Sequence, residues 1–444
     1  MRLMRGLRGL GMAVAMVAAG SLAACAGPGG GAPSAEVTPT DVRTDVGAEE
    51  ATITLFTAAG LEDYQQALAD AFMEEYPAIT VDLQVEADNN YNTVLPRLLA
   101  SDDPPDLAAV ADLAGAVRDG LVTNLDAYDE AYGWSEEIPA SVLDAGRVED
   151  GVIGSGPLYV AGGAAGPLVG AFYNRDLAEQ VGMDQVPTTL DELEAVMAKA
   201  KSMGITPIVA SNSDGLVGHL YNLLLGEYMG PQSVLDVVWR QPDARLDTRE
   251  AIEATARLQE WAQAGYFNAD ANAINQDASY GRFAAGEGLF MFQGTWMTQA
   301  LPESFAGKFG ILPMPPLEEG GPTISMTGNT LAFSIAARSD EKNAAALFLD
   351  FLGSAEAAEV AAANGYPTAT ATDVGEVTLE DDATTQIQAG YSAVAASDGF
   401  FSWIQNSVPA VNTDVQTQLQ LLLSDKTSPE DAVEHLQQAY ESGL

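Results

Sequence analysis

The sequence predicts an α/β fold, and three observations predict it. From Ala51 to about Gly115 the chain alternates strand, helix, strand, helix, strand, the order of a doubly wound sheet with helices on its faces. A second run of the same kind begins beyond the glycine-rich stretch GPLYVAGGAAGPLVG. The length of 444 residues, 47% of them hydrophobic, is enough for two cores rather than one.

A segment that belongs to no core comes first. Arg2, Arg5 and Arg8 precede an apolar run from Leu10 to Ala24 that ends in small residues, which is the layout of a secretory signal peptide. The run is too short to be a comfortable membrane span. Cys25 is the only cysteine, so no intramolecular disulfide forms and an exported body must rely on its core. The following stretch, rich in Gly, Pro, Ser and Thr, reads as a flexible tether. The expectation is a signal peptide at 1–24 and a tether at 25–49.

ATITLFTAAG then alternates Ile53 and Leu55 with threonines, a half-buried strand running into a loop. LEDYQQALADAFMEEYP sets Leu61, Tyr64, Leu68, Phe72 and Met73 on one helical face and stops at Pro77. AITVDLQV is the second strand, YNTVLPRLLASDDPPD a further helix-like unit, and DLAAVADLAG a short strand meeting a loop. Ligands in such sheets collect beyond the carboxyl ends of strands, which singles out the loops 57–62, 88–91 and 111–113. In the second run, LVGAFYNRDLAEQVG is a strand entering a helix, TTLDELEAVMAKAKSMG a helix ended by Gly204, and ITPIVAS a strand. Residues 214–265 are helical in pattern; EGLFMFQGTW and KFGILPMPP are strands; NAAALFLDFLGSAEAAEVAAANG is one alanine-rich helix. Residues 381–444 are mainly helical, with a helix start at Ser428, Pro429 and Glu430.

The formal charge of -44 repels nucleic acid and anionic headgroups, so neither is an expected partner. His219 and His435 are isolated and no cysteine is left for zinc, so no metal site is nominated. Walker spacing and a G-x-S-x-G elbow are absent. No catalytic residue and no cofactor are expected, although 63 acids leave a carboxylate pair for glycoside hydrolysis open.

Several blocks, in order, resemble the family 1 extracellular solute-binding proteins of ABC sugar importers: ITLFTAAGLEDYQQALADAFMEEYPAITVDLQV, PPDLAAVADLAGAVRDGLVTNLDAY, AFYNRDLAEQVGMDQVPTTLDELEAVMAKAKSMGITPIV, YGRFAAGEGLFMFQGTWM, FGILPMPP, TGNTLAFSIAA and SPEDAVEHLQQAY. Leu22-Ala23-Ala24-Cys25 resembles the lipobox of bacterial lipoproteins, in which the cysteine is acylated. The resemblance implies a two-lobed periplasmic-binding-protein-like fold with a hinge and an interlobe cleft. By analogy one lobe takes 50–165 with 320–368, and the other takes 166–319 with 369–444. It further implies a monomeric lipoprotein, anchored through Cys25 to the outer face of the membrane, that closes on a carbohydrate and delivers it to ABC permease transmembrane subunits. A secreted glycoside hydrolase and a receptor for a non-sugar ligand such as a polyamine are the alternatives.

A carbohydrate site pairs aromatic platforms with planar polar groups. Trp296 and Trp403 match the family's cleft aromatics. Asn329 in TGNT, Asp112 and Asn90 offer polar contacts, and Gly60 allows close approach of backbone. Tyr173 and Asn174 in FYNRD complete the candidate set, with packing for Tyr173 and helix capping for Asn174 as the competing roles. Glu62 and His219 are left open; the family's acid after the glycine pair is replaced here by Leu61.

Overall fold

The structure, a computed structural model, describes residues 37–58, 62–163, 166–326, 332–364, 366 and 378–443, without the side chains of residues 88, 89 and 299. Cys25, Gly60 and Asn329, together with the signal peptide, lie outside these residues. Two four-stranded sheets organise the chain, each with its own core.

In the first sheet the strand Ala51–Ala58 runs parallel to Ile79–Glu86 on one side and to Leu107–Ala108 on the other. Ser334–Ile335 returns from far along the chain to close the sheet antiparallel to Leu107–Ala108. Ile53, Leu55, Leu107 and Ile335 face the helices that carry Leu68, Phe72 and Phe348, all of them buried. The parallel pairs require helical crossovers, and Glu62–Glu75 and Asp88–Leu99 supply them.

In the second sheet Val169–Asn174 lies between Gly288–Gly294 and Phe309–Leu312, antiparallel to both, and Thr206–Ile208 pairs parallel to Gly288–Gly294. Every residue of Val169–Asn174 and Gly288–Gly294 is buried, which explains their unbroken small and apolar runs. Thr189 caps Leu190–Ser202 by accepting from Glu192 N, and Ser428 caps Pro429–Ser442 by accepting from Asp431 N, the second at the helix start expected from its sequence. Among the described residues no helix is long and apolar enough to cross a membrane.

The structure departs from the sequence reading at several points. Residues 37–49 are no free tether: Val37 bridges to Thr123, Arg43 N donates to Asn343 Oδ1, and Val46 is buried in the first core. Ile324 and Met326, placed by analogy in the first lobe, are fully buried in the second core. The loop expected at 88–91 is the first turn of Asp88–Leu99, because Tyr91, Leu95 and Leu99 recur at helical spacing and bury one face. The single alanine-rich helix is two, Lys342–Phe351 and Ala355–Ala363, with Ser354 capping the second. A hairpin of Arg147–Glu149 with Val152–Leu158 had no expectation at all.

Candidate functional site

Trp296 follows the buried strand Gly288–Gly294 and is itself part-exposed. A Cβ on Gly294 would collide with the Trp296 ring, so the glycine lets the indole fold back over the strand end. Trp403 approaches from the other side. Its ring centroid is 6.4 Å from that of Trp296, with the planes at 43°. His219 completes a triangle, 5.5 Å from Trp296 and 6.0 Å from Trp403. The Trp403 indole Nε1 donates to His219 Nδ1 at 3.0 Å.

What brings Trp403 here is a face of the helix Val217–Met229. Gly218, Asn222 and Gly226 stand four residues apart on that face, one above the other. A Cβ on Gly226 would come within 2.6 Å of Phe401, and one on Gly218 within 2.8 Å of Gln405 Nε2. The two glycines therefore make a channel for the segment 401–405. Asn222, fully buried, spans it: Oδ1 accepts from Ile404 N at 2.9 Å, while Nδ2 donates to Gln405 Oε1 at 2.9 Å and to Gly218 O at 2.7 Å. Sequence reasoning missed this stripe, although its small-polar-small spacing was visible.

Burial pushes the His219 pKa down to about 4, so the ring is neutral at pH 7. Burial pushes the Tyr280 hydroxyl up to about 12, with Trp296 among the groups that hold it lower.

A cavity of about 570 Å³ opens between elements of the two sheets' halves. Asp112 and Ile153 line it on one side, and Trp239, Arg240, Ser402 and Asn406 on the other. Ser402 is the residue before Trp403, so the cavity and the aromatic triangle share one segment. Asp112 caps the helix Leu113–Arg118, its Oδ1 accepting from Gly115 N at 3.1 Å. Its Oδ2 has no donor among the described residues, and the side chain is exposed.

The other candidates lie elsewhere. The antiparallel register pairs Val169 with Gly294 and Tyr173 with Phe290. At about 3.3 Å per residue, Asn174 is then roughly 16 Å along the strand from the end that carries Trp296. Tyr173 is buried, donating to Leu379 O at 3.1 Å and accepting from Gln386 Nε2 at 2.9 Å. Asn174 caps Arg175–Val181 through Leu177 N at 3.1 Å. Register and bonding thus remove both from the site and give them the competing structural roles. Asn90 donates to Glu86 Oε1 at 3.1 Å on an exposed helical turn and does not line the cavity. No group of three or more His, Cys, Asp or Glu suited to a metal occurs among the described residues.

The chain matches the family of bacterial extracellular solute-binding proteins over residues 58–359. No curated protein sequence matches it. Among solved structures it is similar to the bacterial solute receptor AcbH, described as having an exclusive preference for β-D-galactopyranose, at 16% identity and TM-score 0.72, over 89% of this chain and 99% of that one. A probable secreted solute-binding lipoprotein from Streptomyces coelicolor aligns at 20% identity and TM-score 0.71, covering 88% and 98%. A chitin oligosaccharide binding protein aligns at 19% identity and TM-score 0.64, covering 89% and 99%. The fold is accordingly the two-lobed α/β fold of these receptors, and the chain belongs to the bacterial extracellular solute-binding proteins.

Proposed function

We propose that the chain is the substrate receptor of an ABC sugar importer, capturing a neutral saccharide between its lobes and handing it to a membrane permease. One lobe is built on residues 50–165 with 332–364, the other on 166–326 with 378–443. The observation that carries the reading is the part-exposed pair Trp296 and Trp403, with ring centroids 6.4 Å apart, the second of them next in sequence to Ser402, which lines the interlobe cavity. Indole faces suit the C–H faces of a sugar ring, and the free oxygen of Asp112 suits its hydroxyls. Two of the similar structures are described as sugar binders, which supports the same ligand class. Closure follows if the saccharide touches both lobes, because only differential affinity for the closed form shifts the population.

Asp112 is the one carboxylate among the described residues lining the cavity. Hydrolysis needs two carboxylates flanking a bond, and a polyamine would call for several acids, so the receptor reading is favoured over both. The lipobox-like Cys25 supports export and acylation, with residues 26–36 as the tether to the packed segment that begins at Val37.

Of the five tryptophans, Trp134 and Trp261 are buried in the cores, so fluorescence changes on binding should come from the part-exposed pair and from Trp239, which lines the cavity. Titration of the full chain with galactose, maltotriose, chitotriose and xylotriose is expected to give saturable quenching by at least one, with no new products on chromatography. Trp296→Ala should weaken that binding by about five- to thirtyfold, since an aromatic anchor of this kind contributes on the order of 1–2 kcal/mol. Cleavage of the sugar, or no response to any of the four, would overturn the proposal.

A further inference from the structure

The two indoles and Asp112 meet the faces and hydroxyls of a sugar, and the imidazole between the indoles is left without a task. An indole N–H can only donate. Because Trp403 Nε1 points at His219 Nδ1 from 3.0 Å, Nδ1 must be bare and the ring proton must sit on Nε2. That second nitrogen has no acceptor among the described residues. The ring lies within 6.0 Å of both tryptophans, centroid to centroid, and it is part-exposed. The helix beneath it is fixed to the 401–405 segment by Asn222 through Ile404 and Gln405, so the imidazole is held as rigidly as the indole it supports.

We propose that His219 both positions Trp403 and contacts the ligand: Nδ1 holds the indole in its stacking pose, and Nε2–H donates a hydrogen bond to a hydroxyl of the saccharide lying against the two tryptophans. A hydroxyl accepts such a bond readily, whereas a ligand offering only cationic N–H groups at this point would face an N–H with another N–H. His219 thereby selects for an oxygen acceptor beside the aromatic platform, which deepens the sugar-receptor reading and rests on it.

The two roles separate by substitution. His219→Asn keeps a carbonyl oxygen near the place of Nδ1 and removes the Nε2 donor; His219→Phe keeps the ring and removes both. In the full chain, long-range proton–nitrogen spectra of the wild type are expected to show the Nε2-protonated tautomer. The Trp403 indole proton, assigned by its loss in Trp403→Phe, should retain its hydrogen-bonded shift in His219→Asn and lose it in His219→Phe. With whichever of galactose, maltotriose, chitotriose or xylotriose binds the wild type, calorimetry should give a Kd about three- to tenfold higher for His219→Asn, the worth of one hydrogen bond. His219→Phe should lose at least as much. A wild-type imidazole protonated on Nδ1, or wild-type affinity in a folded His219→Asn, overturns the assignment while leaving the sugar receptor standing. Absence of binding by the wild type to all four sugars overturns the receptor reading, and this inference with it. The tautomer measurement needs no variant, so a substitution that fails to fold does not protect the proposal.

Discussion

Glu227 and His219 sit about two turns apart on one helix, and burial moves them in opposite senses. Glu227 Oε2 accepts from Leu317 N at 3.2 Å, but Oε1 is buried without a partner among the described residues. Desolvation pushes its pKa up to about 8 from an ordinary 4.5. The folded state therefore holds a proton that the unfolded state releases, and this contribution, complete below pH 4.5, is lost as pH rises through about 8. His219, pushed down to about 4 from 6.5, works the other way: its contribution is complete above pH 6.5 and is lost as pH falls toward 4. Between 4.5 and 6.5 the two oppose each other, and above 6.5 Glu227 acts alone. Glu227→Gln, which is neutral at every pH, should thus gain stability over the wild type as pH is raised from 6.5 to 8. The gain should be on the order of 1–2 kcal/mol once solvent screening of a partly exposed group is allowed for. Paired urea melts across that range check it. A constant difference between the two proteins would mean that Glu227 is already ionised in the fold.

At the scale of the element, the site depends on how closely one helix lets one loop approach. Asn222 is the bond that replaces a packed side chain between Gly218 and Gly226, and its three hydrogen bonds are all internal. Asn222→Ala would leave Ile404 N–H and Gln405 Oε1 without a buried partner, so we expect a loss of roughly 2–4 kcal/mol. Trp403 should lose its fixed pose as well. Thermal unfolding measures the first effect and the Trp403 indole line the second; an unchanged melting temperature would show that water replaces the amide at no cost. The same element marks the limit of sequence reading. Strand and helix order was legible wherever periodicity and boundary residues agreed, as at Gly204 and Ser428. Trp296 is nominated by its place after a glycine at a strand end together with the family resemblance, and Trp403 by the resemblance alone; the structure brings their rings to 6.4 Å of one another. The purpose of the 218, 222, 226 stripe was not legible, because its partner lies more than 180 residues away in sequence, as the 183-residue separation of Asn222 from Gln405 shows. Nor was the antiparallel register that carries Tyr173 away from Trp296, since a strand's own pattern does not say which neighbour it pairs with. Asp88-Asn89-Asn90 has turn chemistry, yet it opens a helix because Tyr91 packs on Phe56 at 5.0 Å and bonds to the backbone of Phe56 and Ala109.

For the whole molecule, charge outweighs any single contact. With 63 acids against 19 lysines and arginines, both lobes are negative, and folding or closing them concentrates like charge. Ion pairs relieve little of this, for most are on the surface, such as Arg43 with Glu49 and Arg245 with Asp247, where a pair contributes about 0–1 kcal/mol. An unfolded chain spreads the same charge over a larger volume and repels itself less, so self-repulsion penalises the compact state. Salt shortens the screening distance from about 30 Å at 0.01 M to about 3 Å at 1 M, and the penalty should fall with it. The melting temperature is therefore expected to rise by several degrees between 0.01 M and 0.5 M salt, equally for sodium and potassium chloride, since screening depends on ionic strength and not on ion identity. If the lobes close on a neutral saccharide as proposed, closure brings two negative lobes together, and the affinity for that saccharide should rise over the same range. A melting temperature that is flat or falls with salt would show that the acidic surface is already neutralised in the fold. A rise confined to one cation would show site binding in place of screening.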